Sequence, residues 1–275
     1  MPRTSDVRLP VVGGMFYPAE PDVLRDEIAG YLGDAKKKDI TGTIRGLIVP
    51  HAGYMYSGGT AACGYALLEG AKYKTVVVIS PSHREYFEGA TVFPGTAYRT
   101  PLGQININQR LREKLVKQST IVAVSEAGHR DEHAIEVQLP FLQQVLPEFS
   151  LLPLVIGKQS REICYELGDA LGAVLAEEDA LLVASTDLSH YYAVAMANKL
   201  DAVMISDVQQ FDFEQLMSDL EGGKTEACGG GPTVAVMRAA RTLGATRAEI
   251  LRYSNSGDIT GDHRSVVGYL CAVLF

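Results

Sequence analysis

The sequence predicts an α/β fold: one domain built on a mixed, mostly parallel sheet with helices on both faces. Three observations lead there. Apolar runs alternate along the chain with amphipathic stretches whose apolar positions recur at helical spacing. Runs such as Val76-Val77-Val78-Ile79 and Leu181-Leu182-Val183-Ala184 are unbroken by polar residues, as expected of strands buried on both faces. No Pro/Gly/Ser linker, low-complexity tract or internal repeat divides the 275 residues, so 1–275 reads as a single domain. The breaks are short, at Pro94-Gly95, around Gly128, at Gly222-Gly223 and over 229–232.

In chain order the pattern first predicts a helix over 22–32, with Lys36-Lys37-Lys38 as its solvated basic end. A strand over 46–49 (Gly-Leu-Ile-Val) and a helix over 58–68 follow, then strands over 75–80 and 90–93. A helix over 108–118 leads to a strand over 121–124. The next helix, 133–146, is read from Ile135, Leu139, Leu142 and Val145, with Asp131 and Glu132 as acids favoured at a helix start. A strand over 151–156, a helix over 160–176 and a strand over 181–185 continue the alternation. Helices over 195–209, 213–220 and 233–243 come next, the last introduced by Pro232, which suits a first helical turn. Strands over 249–253 and 266–274 close the chain.

Composition narrows the function classes. With 47% apolar and 21% charged residues the chain is neither disordered nor collagen-like. A net charge of -8 argues against a nucleic-acid footprint, which needs clustered basic surface. No run approaches the roughly 20 apolar residues that span a bilayer. The first residues, Met1 to Asp6, lack the apolar core of a signal peptide, so a cytoplasmic location is expected. Cys63, Cys164, Cys228 and Cys271 lie far apart with no CxxC pair, which predicts reduced thiols.

The informative residues follow the buried strands. Leu47-Ile48-Val49-Pro50 runs into His51, Val77-Val78-Ile79-Ser80 into Pro81-Ser82-His83, and Leu182-Val183-Ala184-Ser185 into Thr186-Asp187-Leu188-Ser189-His190. Open α/β sheets bind ligands at the carboxyl ends of their strands, so parallel neighbours would bring these imidazoles to one cleft. A loop histidine facing water is the plainer reading of any one of them. Cys63, Cys164 and Cys271 sit in apolar patterns and read as core. Cys228 instead precedes Gly229-Gly230-Gly231-Pro232 and a helix, where a thiol is biased toward thiolate. Imidazole with thiolate suits Fe(II), Zn or Cu. His133 either faces the cleft as an acid/base or hydrogen-bonding group, or lies at the surface near its helix start.

Several segments, in order, resemble one family. They are Pro10-Val11-Val12-Gly13-Gly14-Met15-Phe16-Tyr17-Pro18, Pro50-His51-Ala52-Gly53-Tyr54, Pro81-Ser82-His83, the stretch from Asp131-Glu132-His133 to Pro140, Ser185 to His190, and Cys228-Gly229. Together they resemble the Memo family, the B component of the AmmeMemoRadiSam system, nearly end to end. The resemblance implies a fold similar to LigB-type class III extradiol dioxygenases, which are non-haem iron enzymes. It implies a metal held by His51, His83 and Cys228, with Cys228 where the dioxygenases have a carboxylate. The implied ion is Fe(II) first, with Cu or Zn as alternatives, and the implied chemistry is redox or dioxygenase-like. His190 matches the dioxygenase acid/base, Asp187 would orient it or contact the metal, and His133 would take part from beside them. A small-molecule substrate, a radical-SAM protein and a small third component are the implied partners.

Two other classes stay open on the residues. One is a non-catalytic protein that binds a peptide or partner in the old pocket, lined by Tyr54, Tyr56, Tyr191 and Tyr192. The other is a metal-free cysteine hydrolase using Cys228, His190 and Asp187.

Overall fold

A computed structural model describes residues 6–275. Residues 1–5, most of the stretch read above for a leader, lie outside the described residues. The chain runs β1 (Val7–Arg8), α1 (Pro21–Asp34), β2 (Gly46–Val49), α2 (Tyr54–Tyr65), β3 (Thr75–Pro81), β4 (Ala90–Val92), β5 (Ala97–Thr100), β6 (Gly103–Asn106), α3 (Gln109–Gln118) and β7 (Val122–Val124). It continues with α4 (Leu139–Val145), β8 (Ser150–Ile156), α5 (Arg161–Leu175), β9 (Ala180–Ser185), β10 (His190–Tyr192), α6 (Val194–Gln209), α7 (Phe213–Glu221), α8 (Gly230–Thr242), β11 (Ala248–Asn255), α9 (Gly257–Thr260) and β12 (Val266–Leu274).

A nine-stranded sheet organises the molecule, in the order β10-β12-β2-β9-β3-β8-β4-β7 with β11 also paired to β12. Its centre, β2-β9-β3-β8, is parallel; β12 and β4 join that centre antiparallel, which makes the sheet mixed. Successive residues of a strand point to opposite faces, so an unbroken apolar run feeds two cores. On one face Ile48, Val77, Ile79, Leu182 and Ala184 pack with α3, α5, α6, α7 and α8. On the other, Leu47, Val49, Val76, Val78, Leu181 and Val183 pack with α1, α2 and α4. Each fully buried Val, Leu or Ile contributes roughly 1.5–3 kcal/mol relative to exposure, which is why the all-apolar strands lie at the sheet's centre.

The predicted α/β class and its main elements agree with the structure, with several corrections. The helix read as 58–68 begins at Tyr54, and the one read as 233–243 begins at Gly230. The first helix ends at Asp34, leaving Lys36–Lys38 beyond it in irregular chain. The helix read as 133–146 is not one. His133 to Ile135 are irregular, Glu136–Gln138 form one tight turn, and α4 starts at Leu139. Pro140 lies at the helix start, where its missing N–H costs nothing, whereas a helix already begun at His133 would place it in the interior. A separate three-stranded sheet, β1-β5-β6, was not legible and carries the N-terminal segment to the 129–136 loop. Among the described residues, no helix is long and apolar enough to cross a membrane.

Candidate metal centre

Parallel pairing of β2, β9 and β3 brings their carboxyl ends side by side, and His51, Asp187 and His83 follow directly. Cys228 arrives from the loop before α8. One ligand atom each from His51, His83 and Cys228 lie within 4.8 Å of one another, and Cys228 Sγ is 3.1 Å from His51 Nε2.

The tautomer of His51 can be worked out from its neighbours. Ser185 Oγ, with one hydrogen, donates it to the Ala134 carbonyl at 2.7 Å and accepts from Gln138 Nε2 at 2.7 Å. Its remaining lone pair faces His51 Nδ1 at 2.9 Å, so Nδ1 carries the proton and Nε2 presents a lone pair toward Cys228. Burial, and then the neighbouring His83 ring, lower the His51 pKa to about 3, which keeps the ring neutral.

His83, at the exposed edge of the site, is fixed by Glu132. Glu132 Oε2 accepts the His83 backbone N–H at 2.7 Å and Oε1 accepts ring Nδ1 at 2.9 Å, leaving Nε2 free. The same Oε1 accepts the N–H groups of His133 and Ala134 at 2.9 Å. Burial alone would raise the Glu132 pKa, but the bonds from His83 outweigh it and bring it to about 2. Glu132 caps the local backbone, but the helix it was expected to start does not form there. Its larger task is orienting His83, a role that sequence reading missed. Arg8 reaches in from β1 to the Glu132 carbonyl and to buried Glu136, whose carboxylate also receives Tyr17 Oη at 2.6 Å.

Cys228 is held by three backbone bonds. Its Sγ accepts the Asp187 N–H at 3.2 Å, its own N–H donates to the Asp187 carbonyl at 3.2 Å, and its carbonyl accepts Gln159 Nε2 at 2.7 Å. Gln159 Oε1 takes the Gly231 N–H at 2.7 Å, clamping both sides of the glycine loop. Gly229 has to be glycine: a Cβ there would lie 2.2 Å from the Ser185 carbonyl oxygen. Contrary to the bias toward thiolate expected beside a helix start, burial, and then Asp187, push the Cys228 thiol pKa up.

The other candidate residues surround this centre. The buried Asp187 carboxylate accepts the His51 N–H at 2.8 Å, and burial raises its pKa. Among the described residues no hydrogen bond joins it to His190. The half-buried His190 lies on β10, with its backbone N–H on Glu226 Oε1 at 3.0 Å. His133 stacks on His83 with ring centroids 4.8 Å apart and meets His51 edge-on at 5.4 Å. Burial, and then His51, lower its pKa to about 4. Tyr54 is core rather than pocket lining, its hydroxyl donating to the Val137 carbonyl at 2.7 Å, whereas Tyr191 is exposed with φ 65°. Cys63, Cys164 and Cys271 are buried.

Comparison with known proteins places the chain. A family model described as Memo-like protein matches residues 8–273. The chain belongs to the Memo family. A MEMO1 family protein of Methanocaldococcus jannaschii is 37% identical over 286 aligned positions, covering 98% of this chain and 99% of the relative. One from Aquifex aeolicus is 39% identical, covering 96% and 97%. An uncharacterized Escherichia coli K12 protein of known structure superposes with a TM-score of 0.54 at 18% identity, covering 83% of this chain and 99% of its own, a likeness of fold.

Proposed function

We propose that this Memo-family chain binds a metal ion through His51, His83 and Cys228, Fe(II) first and Cu or Zn otherwise, and uses it for redox or dioxygenase-like chemistry on a small molecule. The observation that carries the reading is the Cys228 Sγ to His51 Nε2 distance of 3.1 Å, with a His83 nitrogen within 4.8 Å of both. Donors about 2.0–2.3 Å from one ion in a tetrahedral site stand about 3.3–3.8 Å apart, so three ligand atoms already within 4.8 Å of one another close on an ion with side-chain movements of up to about 1 Å. Two neutral imidazoles and a sulfur suit Fe(II), Cu or Zn and are poor partners for Mg or Ca. When bound, such an ion would supply Lewis acidity and, if redox-active, electron transfer.

The protein's own groups do the rest. Ser185 and Glu132 keep the protons on Nδ1 of His51 and His83, so that the other nitrogens face inward. His190 moves a proton at the rim, and a positioned acid/base of this kind contributes roughly a hundred- to ten-thousand-fold in rate. Asp187 holds the His51 backbone and Cys228 in register, and His133 offers a neutral nitrogen beside the site. The metal-free hydrolase reading fares worse, because the thiol's imidazole partner is His51, not His190.

The test is metal content after anaerobic purification. Wild type is expected to retain close to one ion per chain and Cys228→Ser to lose it, while His190→Ala keeps the ion and loses turnover. A wild type that retains no Fe, Cu or Zn under nitrogen overturns the reading.

A further inference from the structure

Away from the strand ends, a cleft of about 230 Å³ lies between α2, the end of α1 and the β11–α9 connection. Beside it, a Cβ on Gly58 would sit 2.8 Å from the Tyr31 ring, so the bare helix surface lets that ring close in, while one on Gly59 would make only ordinary contact, 3.7 Å from Arg252 Nη1. Arg252 is exposed, makes one hydrogen bond, to the Gly59 carbonyl at 3.3 Å, and among the described residues pairs with no carboxylate. Asp34 and Asp258 line the same cleft and are likewise without an ion-pair partner among the described residues; Asp258 Oδ2 takes the Asn255 N–H at 2.9 Å. Met55 and Ile259 supply apolar wall at 61% and 54% exposure.

A cation and two carboxylates in one small cleft, none paired to another, match a ligand that carries both charges. We propose that this cleft binds a free apolar α-amino acid. Its carboxylate meets the Arg252 guanidinium, a fork suited to that anion, and its ammonium meets Asp34 and Asp258. Its side chain lies along Met55 and Ile259. The volume is below the roughly 300–1,000 Å³ of pockets for drug-sized molecules, which limits the ligand to about this size. The cleft shares no residue with the His51–His83–Cys228 cluster, so the proposal stands or falls apart from the metal.

Saturation-transfer NMR on the full chain tests it with three probes: L-leucine, 4-methylpentanoate (the carboxylate without the ammonium) and isopentylamine (the ammonium with no carboxylate). Leucine is expected to bind saturably, each half-molecule about tenfold or more weaker. Arg252→Gln, and separately Asp34→Asn with Asp258→Asn, are expected to lower leucine affinity by a similar factor while leaving the thermal midpoint near wild type. Cys228→Ser is expected to bind leucine normally. No saturable leucine binding, 4-methylpentanoate binding as tightly as leucine, or an unaltered affinity in Arg252→Gln overturns the proposal.

Discussion

The carboxylate of Glu132 receives both the backbone N–H and the ring Nδ1 of His83, at 2.7 and 2.9 Å, across 49 residues of sequence. One group therefore sets both where the His83 chain lies and which ring nitrogen is free. Partners of this kind commonly contribute 10- to 100-fold in metal affinity. Glu132→Gln turns an acceptor-only group into one whose amide must point a donor at a donor. The expected outcome is metal binding weaker by about tenfold or more in a folded protein, read by competition with a zinc-responsive chelator. Affinity within twofold of wild type would remove Glu132 from this role.

Ser185 Oγ joins three buried partners: His51, Gln138 and the Ala134 carbonyl. Ser185→Ala leaves them unsatisfied. A loss of about 1–3 kcal/mol in urea unfolding is expected, together with weaker metal retention, since His51 is then free to exchange tautomers. An unchanged unfolding midpoint would mean that water replaces the hydroxyl without cost.

His129 gives the molecule an acid sensitivity away from the centre. The ring is buried between Tyr98 Oη at 2.6 Å and the Thr91 carbonyl at 3.2 Å, and burial lowers its pKa to about 3. The unfolded chain takes this proton near pH 6.5, whereas the folded one resists to about pH 3. Stability from this group is therefore complete above pH 6.5 and is lost as pH falls toward 3. The slope of unfolding free energy against pH between 6 and 4 is expected to be shallower in His129→Gln by about one proton, ~1.4 kcal/mol per pH unit. Equal slopes would refute the assignment.

Asp207 has the opposite sign. Burial first, then the charges of Asp219 and Asp212, raise its pKa to about 6, and its Oδ2 has no hydrogen-bond partner among the described residues. The folded state holds this proton more tightly than the unfolded chain does. Its favourable contribution is thus full below the unfolded carboxylate range and is lost as pH rises through 6. Asp207→Asn is expected to stabilise the protein at pH 7 by about 1 kcal/mol, allowing for screening by water, and by nothing near pH 3.5. Calorimetry at the two pH values distinguishes this from a gain that ignores pH.

What the sequence reveals divides along physical lines. Strands over 46–49 and 266–274 are legible to the residue because unbroken apolar runs fit only strands covered on both faces. The proximity of His51 and His83 follows from strand order, once β2, β9 and β3 are parallel neighbours. Glu132 is misread as a helix cap because its decisive partner is remote in sequence, and helical spacing at Ile135 and Leu139 hides a turn that Pro140 and buried Glu136 impose. The β5–β6 hairpin is too short and too mixed in polarity to declare itself, so the anchoring of Arg8 beside the site leaves no local signature.

The partners of Cys228 carry a consequence for biosynthesis. His51, His83 and Glu132 belong to the first half of the chain, while the sulfur and the glycine loop that aims it come 177 residues after His51. On a ribosome the early strands emerge first, with two imidazoles and with Cys228 still to be made. On the proposed function, ion loading through all three donors would therefore wait until the loop before α8 has left the exit tunnel and docked, a late step of maturation.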